Sequence, residues 1–356
     1  MNYRIASLLA EEAANSAGTK TIDINLANPI SRISVCFKGL NSSNDPTAHP
    51  AKMVSKLEVV DGSDVLYSLS GVESQALSYF NQGWLPHNVL NYQDNIYCIA
   101  TYELSFGRYL FDPLLALDPR KFNNPQLKIT HNCASGGSAP DAGVLAVFAD
   151  VFDEKEVSPT GLLMAKEQYS YTLVASANEH IDLATDYPYR GLMLKSLTAG
   201  KAPYEQFHDI KLSEDGGKRT VINNENTSYL LKLLKAHPRI TELVMTKDLD
   251  SATPVFCTPT YETAIADAGL DAADVAVFTA QSYGGSFNAT GTSDARCQFI
   301  VSGQNPHGAM IIPFGNNKEI ADWFDVSKIG SLRLTVTGGS GASGTCEVVS
   351  EQLRSY

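Results

Sequence analysis

From Thr21 onward the chain alternates apolar and polar residues with period two, the pattern of half-buried β-strands. Ile33, Val35 and Phe37 alternate with small or polar neighbours, and Ile96, Cys98 and Ala100 share one face of a segment over 95–103. Segments 53–60 and 65–69 flank Asp61-Gly62-Ser63-Asp64, a hairpin turn in which Gly62 accepts positive φ. Further strands are predicted over 126–130, 144–152, 169–176, 191–197, 210–212 and 220–222. Helical spacing is confined to a few stretches: 72–81, 226–236 ended by His237-Pro238, and 262–268 stopped by Gly269. At the N-terminus Ile5, Leu8, Leu9 and Ala13 fall on one face of a short helix, with Glu11 and Glu12 elsewhere. That helix either packs on its own domain or forms an arm that docks on a neighbour or a lipid surface.

The pattern repeats. Phe106-Gly107, Leu117-Asp118, Lys121-Phe122 and the strand Leu127-Lys128-Ile129-Thr130 return as Phe314-Gly315, Phe324-Asp325, Lys328-Ile329 and Leu334-Thr335-Val336-Thr337. A Gly/Ser-rich turn and one more apolar strand follow each copy. Ile22-Asp23, Pro29, Ile33 and Val35 return, all at one shift, as Ile181-Asp182, Pro188, Leu192 and Leu194. Asp61-Gly62, followed by Leu77, Tyr79 and Phe80, returns as Asp215-Gly216, followed by Leu231, Leu233 and Leu234. Three landmarks in one order in both halves predict a duplicated domain. The charged, Pro-containing run DEKEVSPTG over 153–161 is the natural boundary. The division is then 1–20 as an N-terminal helical arm, 21–155 as a first β-sandwich, and 156–356 as a second, with a loop insertion at about 240–281. Many short strands with turn signals predict sandwiches or barrels, and periodicity does not tell a jelly roll from another sandwich.

The length of 356 residues suits two cores, since a domain usually runs to about 100–150. A net charge of −12, with no Lys/Arg run longer than a pair, argues against direct contact with nucleic acid. Six scattered cysteines form no CxxC pair, and nothing near Met1 resembles an export signal, so free thiols in a reducing cytosol are expected. No apolar run approaches the roughly 20 residues that span a bilayer.

Candidate chemistry is sparse. The seven histidines never fall within metal-ligand spacing of one another, and no HxH, HExxH or Cys/His cluster occurs. Gly284-Gly285-Ser286 and Gly338-Gly339-Ser340-Gly341 lack the lysine and the following helix of a phosphate loop. Asp112 with Asp118, or Asp322 with Asp325, would be the carboxylate pairs of a glycosidase. Asp118 and Asp325, however, match across the repeat, which suits an Asp that holds a turn by accepting the N–H two residues on. Calcium bridged by loop carboxylates stays open without a placeable site. Trp84 and Trp323 suit a sugar platform, an interface anchor or a core edge equally well. The sequence thus assigns no catalytic, cofactor-binding or metal-binding residue.

With its repeated FG…(L/F)D…K(F/I)…L-x-(I/V)-T pattern, the chain resembles the double jelly-roll major capsid proteins of tailless icosahedral viruses, including membrane-containing phages. The resemblance implies a mainly β fold of two tandem eight-stranded jelly rolls with a few short helices. It also implies a homotrimer tiling a virion shell beside neighbouring capsomers and minor capsid or penton proteins. The N-terminal helix would lie on the inner side, near an internal membrane or neighbouring tiles, and there would be no catalysis and no direct genome contact. A tandem β-sandwich spike, a carbohydrate-binding protein or a carbohydrate-active enzyme are the other classes.

Overall fold

The computed structural model describes residues 1–233, 237–249, 253–267, 277–279, 284–290 and 296–356. The first part contains β1 (Tyr3–Ala13), β2 (Gly18–Asp23), β3 (Ile30–Leu40), β4 (Val54–Asp61), β5 (Asp64–Leu69), helix α1 (Gly71–Gln82), β6 (Asn88–Asn91), β7 (Tyr97–Ser105), β8 (Pro125–His131) and β9 (Ala142–Phe152). The second begins with β10 (Gly161–Thr172), β11 (Asn178–Leu183), β12 (Tyr189–Lys195), α2 (Pro203–Gln206), β13 (Phe207–Glu214), β14 (Arg219–Asn226) and α3 (Thr227–Leu233). An inserted group follows: β15 (Ile240–Lys247), β16 (Thr253–Phe256), β17 (Pro259–Asp267), β18 (Val277–Thr279), β19 (Ser286–Thr290) and β20 (Arg296–Pro306). Then β21 (Ala309–Pro313), β22 (Leu332–Gly338) and β23 (Thr345–Ser355) complete the chain.

With β6 and the inserted group set aside, each half supplies eight strands paired in one order. The first sandwich has sheets β1-β9-β3-β7 and β2-β8-β4-β5; the second has β10-β23-β12-β21 and β11-β22-β13-β14. In both, the first, eighth, third and sixth strands face the second, seventh, fourth and fifth. That order makes each half a jelly roll, a distinction periodicity alone could not draw. Thr130 on β8 and Thr337 on β22 occupy the same strand of their respective rolls. Alternation puts Leu127 and Ile129 inside the first roll and Leu334 and Val336 inside the second, all fully buried.

α1 forms where the capping signals predict it. Ser70 accepts from the Glu73 N–H while the Glu73 carboxylate accepts from the Ser70 N–H, and Gly83 ends the helix in the left-handed conformation. Residues 71–80 of the helix are buried, so α1 lies inside the molecule.

Several expectations need correction. Residues 1–20 are not a helical arm: β1 runs antiparallel along β9 and buries Ala6 in the first core, Ala14 just beyond the strand joins it there, and β2 starts at Gly18. Two register shifts in β1, between Ser7 and Leu9 and between Leu9 and Glu12, break its alternation and produce spacing that mimics a helix. Residues 262–267 belong to strand β17, where pairing with β20 overrides an alanine-rich local preference for helix. Ile96 lies in the turn before β7 and is exposed, whereas Cys98, Ala100, Tyr102 and Leu104 form the buried face. The insertion extends to Pro306 and has its own small core of Val244, Val255, Phe287 and Phe299 packed on Leu90 and Tyr92 of the first part. Residues 234–236 of the second predicted helix, and Ala268 and Gly269 of the third, lie outside the described residues.

Candidate functional site

The site-bearing feature is the seam between the two rolls, where both copies of the repeated stretch meet. In the first copy the Phe106 N–H donates to the Ser31 carbonyl (3.1 Å), and Leu117 exchanges backbone bonds with Ile30. In the second copy the Phe314 N–H donates to the Arg190 carbonyl (2.9 Å), and Phe324 exchanges bonds with Tyr189. The glycines after the two phenylalanines are fixed by close approach. A Cβ on Gly107 would lie 2.5 Å from the Leu115 carbonyl oxygen, and one on Gly315, at φ +68°, 2.2 Å from that of Asp322. The hairpin aspartates add a matched clamp. Asp61 accepts from the N–H groups of Asn123 (3.1 Å) and Asn124 (2.7 Å); Asp215 accepts from those of Gly330 (2.8 Å) and Ser331 (3.1 Å).

At the base of the seam the two copies touch. Arg108 forms a two-pronged pair with buried Asp112 (Nε–Oδ2 2.6 Å, Nη2–Oδ1 2.9 Å) and donates to the Lys318 carbonyl of the other roll (2.7 Å). Leu115, Leu163 and Trp323 bury one another beside it. Burial pushes the Asp112 carboxyl up, but the bonds from Arg108 and the Leu114 N–H outweigh it and hold the group below the usual carboxylate range. Asp112 is thus held as an anion by its pairing with Arg108.

In the middle, Arg190 and Glu351 form an ion pair (2.8 Å) in which both side chains are 3% exposed. Asn81, just past the buried part of α1, donates to Glu351 (2.7 Å) and accepts from Arg190 (2.8 Å), so the pair reaches across the seam into the first roll. The backbone also crosses here. β5 pairs in parallel with β10 through Tyr67 and Ser68, and Arg354 bridges to Asp64 at 2.5 Å. Through β5 and β10 one eight-stranded sheet runs from roll to roll, and β6 pairs in parallel with β15 through Leu90 and Asn91, so a second eight-stranded sheet joins the first roll to the insertion.

The other sequence-flagged residues fall as follows. Asp118 accepts from the Arg120 N–H (3.1 Å) and Asp325 from the Ser327 N–H (2.9 Å), the turn-holding geometry expected of them. Trp323 is buried and donates to the Asn316 carbonyl. Trp84 is 55% exposed and lines a groove of about 600 Å³ with Leu85, Val89 and Leu243. None of the six cysteines forms a disulfide, and five of them are buried. Among the described residues no group of three His, Cys, Asp or Glu side chains is arranged to hold a metal ion, and no helix is long and apolar enough to cross a membrane. The sequence did not reveal Arg190, Glu351 or the pairing of His49 with His307, whose rings meet edge to face at 4.9 Å. The shared shift of 159 that links Arg190 to Ser31 was the only available signal.

No protein-family model matches the chain, and no curated protein matches its sequence. Solved structures do. The chain is similar to the major capsid protein P2 of bacteriophage PM2 (TM-score 0.57, 10% identity, 99% of this chain and 98% of that one). It is likewise similar to a chain in the atomic structure of Sulfolobus turreted icosahedral virus (0.61, 12%, 99% and 91%) and to one in the PBCV-1 virus capsid (0.61, 11%, 99% and 94%). Likeness over whole chains at such low identity is a likeness of fold, and it confirms that both rolls, in this order, make a double jelly roll.

Proposed function

We propose that this protein is a major capsid protein that forms the shell of an icosahedral virion. One observation carries the reading: end-to-end correspondence of the fold with the major capsid protein P2 of bacteriophage PM2 and with chains of Sulfolobus turreted icosahedral virus and of the PBCV-1 virus capsid. The welded seam supports it, because a tile must resist shear between its halves. A sheet crossing between the rolls, a second sheet joining the first roll to the insertion, a buried ion pair and the basal clasp all oppose such movement. The protein acts as a homotrimer whose six rolls form a pseudo-hexagonal tile flanked by like tiles and by minor or penton proteins. It has no catalytic role, and its acidic surface has no direct contact with nucleic acid. Contact with an internal membrane, if the virion has one, does not run through an N-terminal helix, because that segment is β1.

Negative-stain electron microscopy of the purified protein and of particles from which it is recovered tests this. Hexagonal tiles or shells are expected. A lone monomer that turns over or captures a glycan would overturn the reading.

A further inference from the structure

His49 and His307 lie far apart in sequence and come together where three parts of the molecule join. His49 sits in the β3–β4 connection of the first roll; its Nδ1 accepts from the Ala51 N–H at 3.0 Å and so caps the 3-10 turn Pro50–Met53. A neutral ring with that acceptor carries its proton on Nε2, which therefore donates to Thr258 Oγ1 of the insertion at 3.0 Å. His307 sits in the turn joining β20 to β21. Its Nε2 lies 2.9 Å from Gln75 Oε1 on α1, and its backbone N–H donates to the Thr258 carbonyl at 2.9 Å. Gln75 is held in one orientation because its Nε2 donates to Asn88 Oδ1 and to the Thr101 carbonyl. Both rings are buried.

We propose that the His49–His307 pair is an acid-released latch that fastens the insertion and the β20–β21 turn to the first roll. A second proton on His49 must go to Nδ1, where it would face the Ala51 N–H, removing the cap and placing a cation in a buried site. The surroundings offer no relief. Lys52 from the 3-10 turn and Lys195 from β12 are the cations acting on the pair, and Lys195 is itself committed to Glu347 of β23 at 3.0 Å. Among the described residues no ion pair joins either ring to a carboxylate. Glu242 on β15 reaches the site through the Thr258 N–H, but burial pushes its carboxyl up to about 7, so it is largely neutral when histidines begin to charge. Burial lowers His49 to about 3, and His307 falls well below its ordinary value through burial, His49 and the two lysines. A folded-state value below the unfolded one means stability is complete above about pH 6.5 and is lost as pH falls toward the folded value. The inference concerns the fold alone and does not depend on the capsid reading.

Hydrogen exchange on the full-length protein between pH 7.5 and 4.5, corrected for intrinsic rates, tests it. Relative to the double variant His49→Asn and His307→Gln, which keeps an acceptor for the Ala51 N–H and a donor toward Gln75, wild-type protection at 47–53, 257–261 and 305–309 should fall by about 30-fold per charged imidazole between pH 7.5 and 5, while β3 and β8 show no such difference. The variant retains only the titration of Glu242, whose raised value makes protection rise as pH falls. The same pH dependence in variant and wild type would overturn the latch. Should the variant fail to fold, NMR titration of the wild-type imidazoles decides, and values near 6.5 for both rings would sink the proposal.

Discussion

Arg190 and Glu351 illustrate how one pair of residues ties the halves together. Both charges are out of water, so their attraction must offset desolvation. It does so only because Asn81 and the Asn317 carbonyl take up remaining hydrogen-bonding capacity. Removing one partner leaves the other charge buried and alone. Glu351→Gln should therefore cost about 3–5 kcal/mol, whereas the double change Arg190→Met and Glu351→Met should recover most of that loss. Chemical denaturation of the three proteins side by side checks this. If the double variant is no more stable than Glu351→Gln, the pair is not the coupled unit described. Residues of this kind were invisible in the sequence because their partners lie 109 to 270 positions away. The turn aspartates were visible because the N–H groups they accept from lie two residues on.

Among the elements, strands with strict alternation were legible and bulged ones were not. β8 and β22 read correctly because every second side chain is buried, and Ile129→Ala or Val336→Ala should each cost roughly 2–4 kcal/mol through lost burial and the cavity left behind. β1 misled because two register shifts place both Leu8 and Leu9 half-buried, a spacing that a helix would also give. The correction reverses what truncation should do. A detachable arm could be lost harmlessly. Deleting residues 1–16 instead strips an edge strand from β9 and uncovers a long ladder of unpaired backbone groups beside Phe148. The truncated protein should aggregate or unfold at least as readily as Val336→Ala, seen as lost soluble yield and a lowered melting temperature. Recovery of a normally folded oligomer without β1 would restore the arm.

For the whole molecule, the sequence disclosed the duplication and an insertion in the second half, but not that the insertion is built of strands and runs on to Pro306. Both rolls share one strand order, yet β15–β20 occur only in the second, between α3 and β21, while the first has the single strand β6 at that place. A threefold assembly would therefore carry six similar rolls but only three copies of the insertion. The bonds holding it should be non-covalent, since five cysteines are buried and Cys36 is half-buried on β3. Sedimentation at micromolar concentration should give three times the 38.5 kDa chain mass, with the same value in the presence and absence of reductant. Dissociation by reductant would show that a disulfide forms between subunits despite this burial. A monomer under both conditions would remove the lateral contacts on which the tile depends.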